Sequence, residues 1–327
     1  MTVLVTGSAG HLGEALMRTF RTTGQPAIGL DRMDSEFTDV VGSVSDRKLV
    51  DRCLADARTV IHAATLHKPH VATHRRQDFV DVNVTGTLNL LESAVANHVD
   101  AFIFTSTTSA FGDALVPPPG EPAAWITEEV RPVPKNIYGT TKVAAEDLCQ
   151  LFHRDHRIPT LILRTSRFFA EEDDNRSVRE SFADDNIKAN EFVSRRVDIE
   201  DAVAAHCCAL RQAASLGFGR YIISATTPFT PDDLPELRRD AQAVFRRRLP
   251  ELVATYEQRG WSMFPTIDRV YDNAKARREL LWQPQYDVTT VMRRLDHGQP
   301  LLSDLATTIG KKGYHEESFA DGPYPTA

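Results

Sequence analysis

The chain has 327 residues, 42% of them hydrophobic and 25% charged, which suits one large globular domain or two modest ones with a sizeable core. Lys and Arg number 38 against 45 Asp and Glu, a formal charge of −7. This balance argues against a general nucleic-acid binder, because phosphate contacts need a basic face. The four cysteines, Cys53, Cys149, Cys207 and Cys208, show no paired spacing and read as free thiols of a reducing compartment.

The N-terminus enters an apolar run at once, Val3-Leu4-Val5, with no basic stretch before it. The longest apolar stretch, 202–210, contains His206 and is far shorter than the roughly 20 residues of a membrane span. A cytoplasmic location is therefore expected. Strands are predicted at 2–6, 27–30, 59–62, 101–105 and 160–164, and helices at 12–22, 46–54, 84–97 and 138–153. Strands alternating with helices of this length imply βαβ units and a parallel sheet. The strands are continuous apolar runs, as expected when helices cover both faces.

The second half is less regular. Residues 171–174 and 176–190 are polar and read as an exposed loop and a short helix. Residues 197–210 read as a strand running into a helix, and 221–224 as a further strand. Helical stretches at 234–245 and 274–281 alternate with loops. The fold class expected is α/β, a doubly wound parallel sheet from 1–166 and 193–228 with a smaller, mostly helical lobe from 167–192 and 229–327. The polar, Gly- and Pro-containing segment from 310 is expected to be loosely held.

After the first strand comes Gly7-Ser8-Ala9-Gly10-His11-Leu12-Gly13, leading into a helix. Glycines there let the strand turn, let backbone N–H groups approach a pyrophosphate, and let the helix pack closely. Asp31, at the end of the second strand, suits a ribose hydroxyl and repels a 2′-phosphate. NAD is thus favoured over NADP, although Arg32 next door pulls the other way. In Tyr138-Gly139-Thr140-Thr141-Lys142, the phenol and the amine share one helix face. A nearby ammonium lowers a phenol's pKa and makes it a usable acid/base. Upstream, Thr105-Ser106-Thr107-Thr108 places hydroxyls at a strand's C-terminal end, where parallel sheets bind ligands.

At this point the chain resembles the extended short-chain dehydrogenase/reductases, which include nucleotide-sugar epimerases, dehydratases and reductases. The matching pieces are Gly7/Gly10/Gly13, Asp31, His62-Ala63-Ala64, Asn83, Phe104 to Gly112, Tyr138/Lys142, Ile199-Glu200-Asp201, Asn273-Ala274-Lys275 and Leu281-Trp282-Gln283-Pro284. Leu281 stands where the family usually has glycine. The resemblance implies a Rossmann-like NAD domain with His11, Leu12, Arg32, Ala63, Ala64 and Asn83 lining the cofactor site. It makes Thr107 the catalytic hydroxyl, Tyr138 the acid/base and Lys142 its partner and ribose holder. It also implies a homodimer, formed through the helices at 84–97 and 138–153 with Leu88, Leu91 and Leu148.

The departures are informative. Dehydratases of the family carry Asp-Glu directly after the catalytic Thr, whereas Thr107 is followed by Thr108-Ser109, so dehydration is not expected. An Asn that touches the nucleotide diphosphate in family epimerases is replaced by Arg167. Ser194 stands at a usual arginine position, beside Arg195 and Arg196. These guanidinium groups suit phosphate oxygens and equally suit the acids at 171–174; both readings stay open. His67, Lys68, Thr107 and Thr108 complete the candidate substrate contacts.

His62, His67, His70 and His74 lack interleaved acids or thiols, so no metal site is expected. Arg246-Arg247-Arg248 reads as a solvated helix end. The leading expectation is an NAD-dependent epimerase acting at a secondary alcohol of a sugar or nucleotide sugar through a keto intermediate, placing the chain in carbohydrate metabolism. The alternatives are a sugar or polyol dehydrogenase with net hydride transfer, and a non-catalytic dinucleotide sensor.

Overall fold

The computed structural model describes residues 1–313 and 319. Short apolar runs form the strands of a parallel sheet and amphipathic segments cover it. The first half runs β1 (Val3–Thr6), α1 (His11–Thr23), β2 (Ala27–Asp31), β3 (Val40–Val41), α2 (Arg47–Ala55) and β4 (Thr59–His62). It continues through α3 (Arg76–Phe79), α4 (Gly86–Ala96), β5 (Ala101–Thr107), β6 (Ala124–Ile126), α5 (Ile137–His156) and β7 (Thr160–Thr165). Next come α6 (Arg176–Ser181), α7 (Asp184–Phe192), α8 (Ile199–Leu216) and β8 (Phe218–Ile223). The remainder is α9 (Leu234–Leu237), α10 (Ala241–Arg248), α11 (Pro250–Gln258), β9 (Arg269–Tyr271), α12 (Ala274–Glu279), α13 (Val288–Asp296) and α14 (Asp304–Ile309).

Seven strands pair in the order β3-β2-β1-β4-β5-β7-β8, all parallel. The chain winds outward from β1 through β3, then returns to place β4 on the other side of β1. That reversal opens a crevice at the C-terminal ends of β1 and β4, the usual ligand position of a doubly wound sheet. One face of the sheet packs on α1 and α8 through Leu16, Phe20, Val203 and Ala209. The other packs on α2, α4 and α5 through Leu54, Leu90, Leu91 and Cys149. A further core, containing Phe192, Leu237, Phe245, Val291 and Met292, is built by the later helices. Within the stretch 229–327, however, Ala276, Leu280, Trp282 and Ala306 pack on the sheet.

Several expectations need correction. The helix at 84–97 is preceded by α3 and a π-helical turn, Val80–Thr85, a distortion common near functional sites. No strand forms at 197. Arg167 and Arg196 make a single bridge, and Asp198 caps α8 by accepting from the Glu200 N–H. The helix expected at 234–245 splits because Asp240 caps a new one, accepting from the Ala243 N–H. The segment 176–190 holds two helices, and α7 is buried from Asn186 to Phe192. Residues 171–174 are not an exposed loop, since Glu171 and Asp173 are buried.

Strands β3, β6 and β9 are too short to show a pattern. Leu281 takes a φ of +55°, a backbone region that favours glycine, which accounts for the residue usual there. Arg247 and Arg248 pair with Asp233 rather than facing solvent alone. Leu91 is fully buried within the protomer and cannot serve an interface. The segment from 310 is tied down at Lys311 and Lys312, which bond Glu172, Glu171 and Glu14. Residues 314–318 and 320–327 lie outside the described residues. Among the described residues no helix is long and apolar enough to cross a membrane.

Candidate active site

The glycine loop is shaped by close packing. Gly7 has φ +76°, and a Cβ there would lie 2.7 Å from the Ala64 nitrogen; one at Gly13 would lie 1.9 Å from the Gly7 carbonyl oxygen. These two glycines are demanded by the chain itself. A Cβ at Gly10 would meet only the Gly7 oxygen, at 3.3 Å, so the space beside Gly10 is open. Helix α1 begins there with no side-chain cap, which leaves first-turn N–H groups, those of His11 and Leu12 among them, for an anion. Asp31 accepts from the Ala9 N–H and the Met33 N–H, each at 3.0 Å, and keeps further lone pairs for ribose hydroxyls. Arg32 is exposed. An open glycine face, an uncapped helix end and a carboxylate at the second strand together fit a dinucleotide.

The wall of the crevice is fixed from behind. Ala63 and Ala64 follow β4, held by the Thr6 carbonyl and hydroxyl at 3.2 and 3.1 Å. His62 lies buried between the Thr6 and Thr87 hydroxyls, and burial pushes its pKa well down, so it is a neutral structural group. Asn83 is buried, with its amide bonded to Leu66, Thr65 and Thr141. It ties the 62–67 loop to α5.

Helix α5 starts at Asn136, whose side chain accepts from the Gly139 N–H at 3.1 Å; Tyr138 and Lys142 are both buried on its inner face. Thr107, leaving β5, lies close enough to the Tyr138 phenol to favour its ionised form and accepts from the Ser109 N–H; Thr108 is buried beside it. Lys142 lies one turn further along α5. Its ammonium donates to the Thr105 carbonyl at 2.6 Å and lies 4.0 Å from the Phe104 ring centre. Burial pushes Tyr138 up to about 12, against the pull of Thr107, and Lys142 down to about 7. The phenol therefore stands protonated, as an acid.

Sequence reasoning missed Glu146, one turn beyond Lys142 and buried. It accepts from the Ser106 hydroxyl at 2.6 Å and from Arg164 at 2.7 Å, and its charge supports the Lys142 ammonium. The i, i+4, i+8 spacing with Tyr138 was its only signal.

On the opposite side, the His67 ring lies 6.2 Å from both Tyr138 and Phe169. Burial and the nearby His70, Lys142 and His11 charges push His67 down to about 3. Lys68 pairs with Asp174. His70 accepts from the His67 N–H at 2.9 Å and stacks edge-on with His74. Arg167 lies within ion-pair distance of Asp173, Asp174 and Glu191, while Arg195 and Arg196 lie 3.2 and 2.7 Å from Glu191. Of the two readings left open for these arginines, Arg167 meets the acids at 173 and 174, and all three meet Glu191. Glu191 was not legible, because α7 shows no apolar stripe. Nor was the buried pair of His11 with Glu171, at 2.9 Å. Among the described residues no metal-binding group of three or more His, Cys, Asp or Glu gathers. Two surface hollows, of about 320 Å³ beside Tyr286 and Arg293 and about 420 Å³ beside His98 and His156, contain none of these residues.

A parallel sheet with an anion-ready glycine loop at its switch point, and a Thr-Tyr-Lys group over the same crevice, defines a dinucleotide-binding protein of the short-chain dehydrogenase/reductase class. The chain belongs to the NAD dependent epimerase/dehydratase family, whose sequence profile matches residues 3–223, and is of the extended type. NAD is that family's cofactor.

It is 30% identical over 186 residues to the low-salt glycan biosynthesis protein Agl12 of Haloferax volcanii, covering 52% of this chain and 57% of that one. It is 25% identical over 322 residues to a UDP-glucose 4-epimerase of Rhizobium meliloti, covering 88% and 94%. The chain spans about half the length of several curated relatives that it matches. A short-chain dehydrogenase/reductase superfamily protein from Agrobacterium tumefaciens, crystallised with bound NAD, superposes with a TM-score of 0.64 at 22% identity, over 91% of this chain and 98% of that one. That likeness establishes the fold.

Proposed function

We propose that the protein is an NAD-dependent epimerase acting at a secondary alcohol of a sugar or nucleotide sugar. The observation that carries this reading is the closeness of Thr107 to the buried Tyr138 phenol, with Lys142 one turn along α5. The N–H groups after Gly10 would hold the pyrophosphate, Asp31 the adenosine ribose, and Lys142 the other ribose. NAD supplies a hydride acceptor and a positive charge. Beside that positive charge the Tyr138 phenol would give up its own proton to solvent and, as phenolate, would take the proton of the substrate hydroxyl as the carbinol carbon loses hydride, with Thr107 steadying the oxygen. Return of hydride to the other face of the keto sugar, with the proton given back by Tyr138, inverts the centre. With Thr108 and Ser109 after Thr107, the site has no carboxylate pair for eliminating water.

We read the chain as an NAD domain of 1–166 and 193–228 and a substrate lobe of 167–192 and 229–327. The same reading makes it a cytoplasmic homodimer, docked through the outer faces of α4 and α5, where Leu88 and Leu148 are half-buried and Leu151 is exposed. Heat-denaturing the purified protein and assaying the supernatant tests the epimerase: stoichiometric NAD is expected. An empty site with turnover on added NAD would favour net dehydrogenation. Tyr138→Phe is expected to retain NAD and lose at least about a hundredfold in turnover, as removal of a general acid/base does. Unchanged turnover would turn the reading toward a sensor.

A further inference from the structure

A nucleoside diphosphate brings several negative charges and is held by guanidinium and ammonium groups able to turn toward it. Beside Tyr138 the cations face into the chain instead. Arg167 lies 3.3 Å from Asp173, 3.5 Å from Asp174 and 3.9 Å from Glu191, and donates to the Glu172 carbonyl at 2.8 Å. Arg195 and Arg196 hold Glu191, Arg196 also donates to the Phe169 carbonyl, and Lys68 pairs with Asp174. Four cations thus meet three carboxylates and two backbone carbonyls, a surplus of one charge. The Glu191 and Arg196 side chains are 2% and 1% exposed. Turning Arg196 toward a ligand would leave a buried carboxylate uncompensated, which is strongly unfavourable.

We propose that the site takes a compact, uncharged sugar or polyol rather than a nucleotide-linked one. This rests on the hydride-transfer reading of Tyr138 given above. The wall that a nucleotide arm would have to cross is closed by contacts across it: the His67 and Phe169 rings, 6.2 Å apart, and the Lys68–Asp174 pair. What that wall offers instead suits vicinal hydroxyls. The uncharged His67 imidazole supplies both a donor and an acceptor. His70, next to it, extends the same chemistry.

The test titrates UDP, dTDP and GDP into the NAD-loaded protein by calorimetry, and separately follows a panel of free aldoses and alditols both for epimerised product and for NAD reduction. No saturable nucleotide binding at millimolar concentration is expected, with turnover on a free sugar or polyol. Saturable micromolar binding of any of the three overturns the proposal and leaves Tyr138's chemistry standing. Asp174→Asn, which removes a partner of both Lys68 and Arg167, is expected to show saturable UDP binding at millimolar concentration where the unaltered protein shows none. Absence of binding by the variant as well would overturn the charge-balance argument. Silence of every sugar, with the nucleotide arm negative, would count against the hydride chemistry and not against the charge argument.

Discussion

Lys142 is 2% exposed, and its ammonium bonds the Thr105 carbonyl and faces the Phe104 ring. Its folded pKa, pushed by burial from 10.5 to about 7, means that below about 7 the folded chain carries a charge the unfolded chain holds more easily. Between about 7 and 10.5 the unfolded chain binds the extra proton, so this group makes stability rise with pH across that window. Lys142→Met is therefore expected to raise the unfolding midpoint of the cofactor-free protein, most at or below neutral pH and hardly at all near pH 10.5. The same variant should lose turnover, the common exchange between stability and activity. Denaturant midpoints at several pH values check it, and equal gains across the window would refute the buried-charge account. The Thr107, Tyr138 and Lys142 positions were legible because helix spacing and a strand end fix where they point. The charge state was not, since it depends on burial and on the Thr105 carbonyl, which no spacing encodes.

Helix α7 shows the corresponding limit for elements. Its sequence alternates polar and apolar residues without a stripe, yet Asn186 and Asn190 are buried and bond the Ser262 carbonyl at 3.1 and 2.9 Å. Polar side chains satisfied from outside the helix replace the apolar face that periodicity reads. The segment Ile199-Glu200-Asp201 was legible as a motif, and its task is now visible. Asp201 accepts from the Gln285 and Tyr286 N–H groups at 2.7 and 2.8 Å, and its carbonyl accepts from the Trp282 indole at 3.1 Å. It fastens the segment after α12 to the start of α8. Asp201→Ala should cost about 2–4 kcal/mol by orphaning two backbone donors. Burial, with Asp198 and Glu200 nearby, pushes the Asp201 carboxyl up to about 7 against those donors. Its contribution is thus full below the unfolded value of 3.8 and falls as pH rises through about 7. The variant's deficit in unfolding midpoint is expected to be larger near pH 5 than near pH 8; the reverse order would remove the argument.

Across the whole molecule, the parallel sheet followed from alternation of apolar runs and helices, whereas several joints between the later segments and the sheet are ionic and distant in sequence. Lys312 reaches Glu14 and Glu171 from the far end of the chain. Glu191 on α7 gathers Arg167 from the end of β7 and Arg195 and Arg196 from the run into α8. Such pairs have no periodicity, so only the fold reveals them.

Burial would raise the Glu191 carboxyl, but the three arginines hold it at about 2, against an ordinary 4.5. At about 1.4 kcal/mol per unit, the joint contributes on the order of 3 kcal/mol. That contribution is complete above 4.5 and disappears as pH falls through about 2. Glu191→Gln should lower the unfolding midpoint at neutral pH and leave the buried Arg196 and the partly exposed Arg167 and Arg195 facing a neutral amide. As acid protonates the wild-type carboxyl, the two proteins should converge. Parallel midpoints from neutral pH down to about 3 would show that the lobe is held by something other than this carboxylate.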